Sequence, residues 1–145
     1  MGYFQIGIYQ GKTEPNIGTL WRSAYQLGAS GIFTIGKRYT RQASDTYKTE
    51  RQIPLVNYRD FDHFLDNRPV GSQLIGIEMG GIALSEFKHP KTAIYLLGSE
   101  DNGLPNHVRA QCQHIVSIES INTASYNVAV AGSLVMYSRM IKPCN

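Results

Sequence analysis

Three short stretches carry residues whose types and spacing could do chemistry. The first places Asn16 and Arg22 within Asn16-Ile17-Gly18-Thr19-Leu20-Trp21-Arg22-Ser23-Ala24. The second is a glycine-bounded loop, Gly98-Ser99-Glu100-Asp101-Asn102-Gly103-Leu104-Pro105, which follows the apolar run Ala93-Ile94-Tyr95-Leu96-Leu97. The third, Ser125-Tyr126-Asn127, lies between the run His114-Ile115-Val116-Ser117-Ile118 and an apolar closing segment. Glycines at a strand end let a ligand approach the backbone, and the free N–H groups of a helix start can hold a phosphate. A guanidinium can fix a phosphate or stabilise charge that develops on an oxygen. Each residue also has a plainer role: Arg22 as a solvated charge, Asn16 as a helix cap, Gly80-Gly81 as a turn. Metal and disulfide chemistry is not indicated. Cys112 and Cys144 are too few and too far apart for a metal motif, and the histidines at 63, 89, 107 and 114 show no ligand spacing.

The elements around these stretches alternate between strand and helix. Phe4–Tyr9 reads as a first strand, followed by a helix whose apolar stripe is Ile17, Leu20, Trp21, Ala24 and Leu27, with Gly28 and Gly31 available to stop it. Arg22 falls on the other face of that helix. Gly31–Gly36 is a second strand and Ile53–Tyr58 a short third. Asp60 is placed to cap a helix carrying Phe61, Phe64 and Leu65 inward. Gln73–Ile77 is a fourth strand ending in the loop Glu78-Met79-Gly80-Gly81, which is not a dinucleotide fingerprint. Ala93–Leu97 and His114–Ile118 are the fifth and sixth strands, and Pro105 fits the first turn of the helix between them. A closing helix from about Ser125 to Ile141 is apolar on nearly every side, as expected of a helix enclosed by protein. This is the pattern of one α/β domain, in which two neighbouring strand-to-helix junctions put their loops at one sheet edge, where open α/β sheets bind ligands.

The bounds agree with that pattern. A chain of 145 residues, 42% of them hydrophobic, suits a single domain over residues 1–145 with no appended recognition domain. Fourteen Lys and Arg against eleven Asp and Glu leave a net charge of +3, which permits a polyanionic partner without requiring one. Its basic residues concentrate in 37–51, where Lys37, Arg38, Arg41, Lys48 and Arg51 interleave with Tyr39 and Tyr47. Cations meet phosphates and a ring can stack on an unpaired base, so the segment suits a nucleic acid; a solvated loop explains its composition equally well. There is no secretory-signal pattern, and the longest apolar stretch, Val128–Tyr137, is about half a membrane span, so a soluble cytoplasmic protein is expected.

Together, in this order and separation, the three stretches resemble the motifs of the SPOUT superfamily of RNA methyltransferases, in its SpoU (TrmH-like) branch. The match spans roughly Asn16 to Tyr137. The resemblance implies a parallel α/β sheet with helices on both faces, a C-terminal deep trefoil knot (the α/β knot), and a homodimer with cofactor pockets near the subunit interface. It implies S-adenosylmethionine as cofactor and a ribose 2′-hydroxyl of RNA as acceptor. By residue, it implies that Ile77, Glu78, Met79, Gly80, Leu97, Gly98, Ile118 and Ile121 line the cofactor, largely through backbone groups. Ser125 joins that lining and, with Asn16, Arg22, Glu100 and Asn127, matches the polar catalytic positions.

A guanidinium, with a pKa above about 12, is a poor proton acceptor, so Arg22 is expected to position the target phosphate and stabilise the alkoxide. Target recognition then falls to Arg22 with Lys37, Arg38, Arg41, Lys48 and Arg51, and a compact tRNA stem-loop is favoured over rRNA. The chain departs from the family pattern at Glu119, where Pro is common, and at Tyr126, where Leu or Met is common. Two alternatives stand beside this reading: a non-catalytic RNA-binding knot, and a methyltransferase acting on a base or a small molecule. A dimer formed through the closing helix predicts that Val135→Asp gives a monomer or an insoluble chain.

Overall fold

A computed structural model describes residues 2–11, 14–36, 52–99 and 102–144. Six strands form one sheet in the order β3-β2-β1-β5-β4-β6, and every ladder in it is parallel. The strands are β1 (Tyr3–Tyr9), β2 (Gly31–Ile35), β3 (Leu55–Tyr58), β4 (Gln73–Ala83), β5 (Thr92–Leu97) and β6 (His114–Ser117). The helices are α1 (Glu14–Gln26), α2 (Phe61–Asn67), α3 (Asn106–Arg109) and α4 (Val128–Ile141), with a 3-10 turn at Leu84–Glu86.

Parallel strands are joined by crossovers that cover both faces of the sheet, so alternate residues of each strand enter separate cores. Phe4, Ile6, Ile8, Ile75, Ile77, Tyr95 and Leu97 pack with Ile17, Leu20, Trp21 and Ala24 of α1 and Val128, Val135 and Met136 of α4. Phe33, Ile35, Leu74, Ile94 and Leu96 pack on the opposite face with Phe61 and Phe64 of α2 and Val108 of α3. Gly132 lets α4 come close, because a Cβ there would lie 3.1 Å from Leu97 Cδ1 and 3.3 Å from Ile6 Cδ1.

Helix ends follow the expected chemistry in two places. Gly28, at φ +90°, ends α1 with the Ala29 N–H bonded to the Ala24 carbonyl at 2.9 Å and the Gly28 N–H to that of Tyr25 at 3.4 Å. This is the left-handed glycine stop. Asp60 caps α2 by accepting from the His63 N–H at 2.8 Å.

Elsewhere the structure corrects the expectations. Asn16 is not a cap, because α1 already begins at Glu14 and places Asn16 inside its first turn. Pro105 occupies the N-cap position of α3 instead of its first turn. β4 does not stop at Ile77. Residues 78–81 bulge out, and the strand rejoins β6 with Ile82 and Ala83 opposite Val116 and Ser117. The paired glycines allow this: a Cβ on Gly81 would fall on the Ile115 carbonyl, and Gly80 takes φ +84°. The closing helix starts at Val128, three residues later than expected, because Asn127 is its cap. Nor is it enclosed within the chain, since Val130, Leu134, Tyr137, Met140 and Ile141 are exposed.

The C-terminal end of α4 is fastened beneath the connection between β4 and β5. Buried Arg139 donates from Nη1 to the Pro90 carbonyl at 2.7 Å and from Nη2 to that of Lys91 at 2.9 Å. Lys142 Nζ donates to the Leu84 carbonyl at 2.6 Å. Arg139 also donates to the Tyr95 hydroxyl at 3.1 Å, which leaves the hydroxyl hydrogen for His89 Nδ1 at 2.6 Å. His89 Nε2–H then goes to Ser138 Oγ at 3.0 Å.

Candidate functional site

Strand register decides where the candidate residues meet. Leu97 of β5 lies opposite Ile8 of β1 on one side and Ile77 of β4 on the other, and Ile77 lies opposite Val116 of β6. Four neighbouring strands therefore reach the carboxyl edge of the sheet at one level. The segments 78–81, 98–99 with 102–104, and 118–127, far apart in sequence, lie at that edge.

The first two of these loops are tied together by one carboxylate. Glu78 Oε2 accepts the Leu104 N–H at 2.8 Å, and Oε1 accepts the N–H of its neighbour Met79 at 3.0 Å. Gly103, at φ +63°, makes room for it, since a Cβ there would sit on the Glu78 carboxylate. Gly98 faces the same crossing from the other side; a Cβ on it would lie 2.7 Å from the Gly103 Cα. The Gly103 N–H closes the loop onto the Ser99 carbonyl at 3.1 Å. Both glycines are needed for backbone to pass this close to backbone.

Ser117 fixes the bulge. Its hydroxyl donates to the Glu78 carbonyl and accepts the Gly81 N–H, each at 2.8 Å. Sequence reasoning assigned Glu78 a backbone role and passed over Ser117. The available signals were a paired glycine after a strand, which marks a bulge, and a lone hydroxyl at the end of an apolar run.

The third loop borders a recess of about 570 Å³ lined by Glu119, Ser120, Ile121, Asn122, Ala124, Ser125 and Tyr126. That size is within the range of small-molecule pockets, roughly 300–1,000 Å³. Ile121 and Ser125 of the expected cofactor residues line it. Ile77 and Leu97 are buried in the core, Met79 is exposed on the bulge, and Glu78 and Gly98 meet at the glycine loop instead. Ile118 packs on the α1/α4 core.

Asn127 joins the first stretch to the third. Its Oδ1 accepts the Ala129 and Val130 N–H groups at 2.9 and 3.2 Å, and its Nδ2 donates to Asn16 Oδ1 at 3.0 Å. One side chain thus caps α4 and ties it to α1, across 111 residues of sequence. Arg22 is exposed on α1, about 9 Å further along the axis than Asn16 and roughly a third of a turn around it. Glu100 and the basic residues Lys37, Arg38, Arg41, Lys48 and Arg51 lie outside the described residues. Burial pushes the Cys112 thiol up to about 11, which suits a packing residue and not a nucleophile. Among the described residues no cluster of His, Cys, Asp or Glu could hold a metal ion. No helix among them is long and apolar enough to cross a membrane.

The family model described as the SpoU rRNA methylase family matches residues 3–137. The chain belongs to that family. Among SpoU relatives, it is 29% identical over 148 residues to the 23S rRNA (uridine(2479)-2′-O)-methyltransferase of Streptomyces viridochromogenes, an alignment covering 90% of this chain and 50% of the relative. It is 27% identical over 128 residues to an uncharacterized tRNA/rRNA methyltransferase of Mycobacterium avium, covering 83% of this chain and 41% of that one. The chain thus spans about half the length of these curated relatives.

Solved SpoU structures share the fold. AviRb of Streptomyces viridochromogenes, crystallised with AdoMet, superposes with a TM-score of 0.85 at 24% identity, covering 95% of this chain and 57% of that one. A structure concerned with 2-OH methylation of C/U34 on tRNA superposes at 0.80 and 24% identity, covering 94% and 93% of the two chains.

Proposed function

We propose that this chain is an S-adenosylmethionine-dependent RNA methyltransferase acting on a ribose 2′-hydroxyl, of tRNA in preference to rRNA. The observation that carries the proposal is the convergence of the family's three motifs on one sheet edge, where Asn127 bonds Asn16 to join the third to the first, and Glu78 bonds Leu104 to tie the second to the β4 bulge. Spacing along the sequence does not require that meeting; a ligand site does.

The residues present fit the cofactor. The recess offers Ile121, Ala124 and Tyr126 with polar groups between them, and at the same sheet edge Gly98 and Gly103 let the glycine loop close on itself and on the Glu78 carboxylate. This arrangement suits an adenosine held mainly by shape and backbone. The cofactor, when bound, supplies an electrophilic methyl group. The chain's part is to hold the acceptor oxygen near it and to stabilise the charge that oxygen gains as its proton leaves to solvent. Arg22 is the group for both tasks, with one prong on a neighbouring phosphate and one on the oxygen. Asn16, Ser125, Asn127 and Glu100 complete the polar set, and Lys37, Arg38, Arg41, Lys48 and Arg51 extend the contact along the RNA.

The proposal includes a homodimer and a deep trefoil knot. The dimer is supported by the exposed apolar face of α4, which with Thr19 and Leu27 of α1 forms a groove of about 370 Å³. The knot is supported by the fastening of α4 beneath the 84–91 connection, through Arg139 and Lys142.

The test is transfer of a labelled methyl group from S-adenosylmethionine to bulk tRNA and rRNA, followed by digestion to nucleosides. A labelled 2′-O-methyl nucleoside is expected. Label on a base would reassign the acceptor, and RNA binding without any transfer would identify a non-catalytic knot protein.

A further inference from the structure

The loop that lines the recess is closed by one of its own side chains on its own backbone. Tyr126 donates from its hydroxyl to the Glu119 carbonyl at 2.6 Å, closing the chain on itself across seven residues. Glu119 is in turn anchored. The Ser85 hydroxyl and backbone N–H groups of the Leu84–Glu86 turn face its carboxylate and hold it below the usual carboxylate range. On either side the chain is pinned again, at Ser117 by the bulge of β4 and at Asn127 by the start of α4 and by Asn16.

Residues 120–125, between these anchors, are all exposed, and Ile121 is wholly so. No core contact holds their shape. An exposed segment of this kind, without a clasp, would sample many conformations and would have to be ordered by each ligand, at a cost in affinity. Glu119 and Tyr126 are also the two positions where the third stretch departs from its family's pattern. Of the two, only Tyr126 brings the bond through its side chain; the acceptor at Glu119 is a backbone carbonyl, which any residue supplies.

We infer that Tyr126 is a positioning residue that pre-forms the adenosine recess of this chain, through the hydrogen bond from its hydroxyl to the Glu119 carbonyl. The inference rests on the S-adenosylmethionine reading above. It assigns no proton transfer to either residue.

Tyr126→Phe isolates the claim, since it keeps the ring and removes only the donor. Loss of one neutral hydrogen bond is expected to weaken S-adenosylmethionine binding roughly three- to tenfold. Calorimetric titration should show the same factor for 5′-methylthioadenosine, which lacks the amino-acid tail, because the recess is read as the adenosine's. Amide exchange at 120–125 should quicken in the variant, with the melting temperature nearly unchanged. If wild type binds both ligands and Tyr126→Phe binds them equally well, the positioning role is wrong and the cofactor reading survives. If folded wild type binds neither, with or without tRNA, the cofactor reading falls and the inference falls with it.

Discussion

At the scale of single residues, the informative positions are those whose side chain, or lack of one, keeps two loops in contact. Gly103→Ala would put a methyl group onto the Glu78 carboxylate at a backbone angle of φ +63° that alanine rarely adopts. The glycine loop must then shift, and we expect at least about a tenfold loss of S-adenosylmethionine affinity with an unchanged far-UV CD spectrum, measured by calorimetry on the folded variant. Arg22 poses the complementary case, a charged side chain exposed on α1. Arg22→Ala should lower kcat by about 10²–10³ while leaving cofactor affinity within twofold, the magnitude typical of losing one preorganised donor to a developing oxyanion. Lysine should restore little, since an ammonium cannot span phosphate and oxygen as a planar fork does. Full turnover by Arg22→Lys would remove the fork from the mechanism.

Among the elements, α4 bears the largest load, and its lower end depends on a buried imidazole. Burial, then the charges of Arg139 and Lys142, push the His89 pKa down from 6.5 to about 4. A histidine held neutral in the folded chain costs nothing above pH 6.5, where the unfolded chain is neutral too. As pH falls from there, the unfolded chain takes the proton first. Stability is then lost progressively down to about pH 4, by on the order of 3 kcal/mol. Thermal melts between pH 7.5 and 4.5 should show this decline, and His89→Gln should flatten it.

The sequence made much of this architecture legible. The alternating apolar runs place all six strands, the stripe on α1 and the glycine at its end define that helix, and Asp60 announces α2. Features built from long-range contacts were not legible. Asn16 looks like a cap because its partner, Asn127, is 111 residues away. The bulge in β4 depends on Ser117 of another strand. The Tyr126–Glu119 bond needs the turn that brings its ends together, which no periodicity encodes.

For the molecule as a whole, α4 presents a contradiction that a second copy would resolve. Its sequence is that of a buried helix, yet Val130, Leu134, Tyr137 and Ile141, spaced by four, three and four residues, form one exposed apolar face. Such a stripe, continuous with Thr19 and Leu27 of α1, is the kind of contiguous exposed apolar patch that marks an interaction surface. The residue chosen to test it matters. Val135 is fully buried in the α1/α4 core, so an aspartate there would bury a charge and destroy the fold whatever the oligomeric state. Leu134 and Tyr137, 37% and 51% exposed, touch solvent in the single chain. Leu134→Asp with Tyr137→Asp should therefore yield a folded monomer by light scattering, with a melting temperature independent of protein concentration, whereas the proposed dimer requires wild type to scatter as two chains and to melt higher as it is concentrated. A double variant that remains dimeric would move the interface off α4 and leave its apolar face to some other partner.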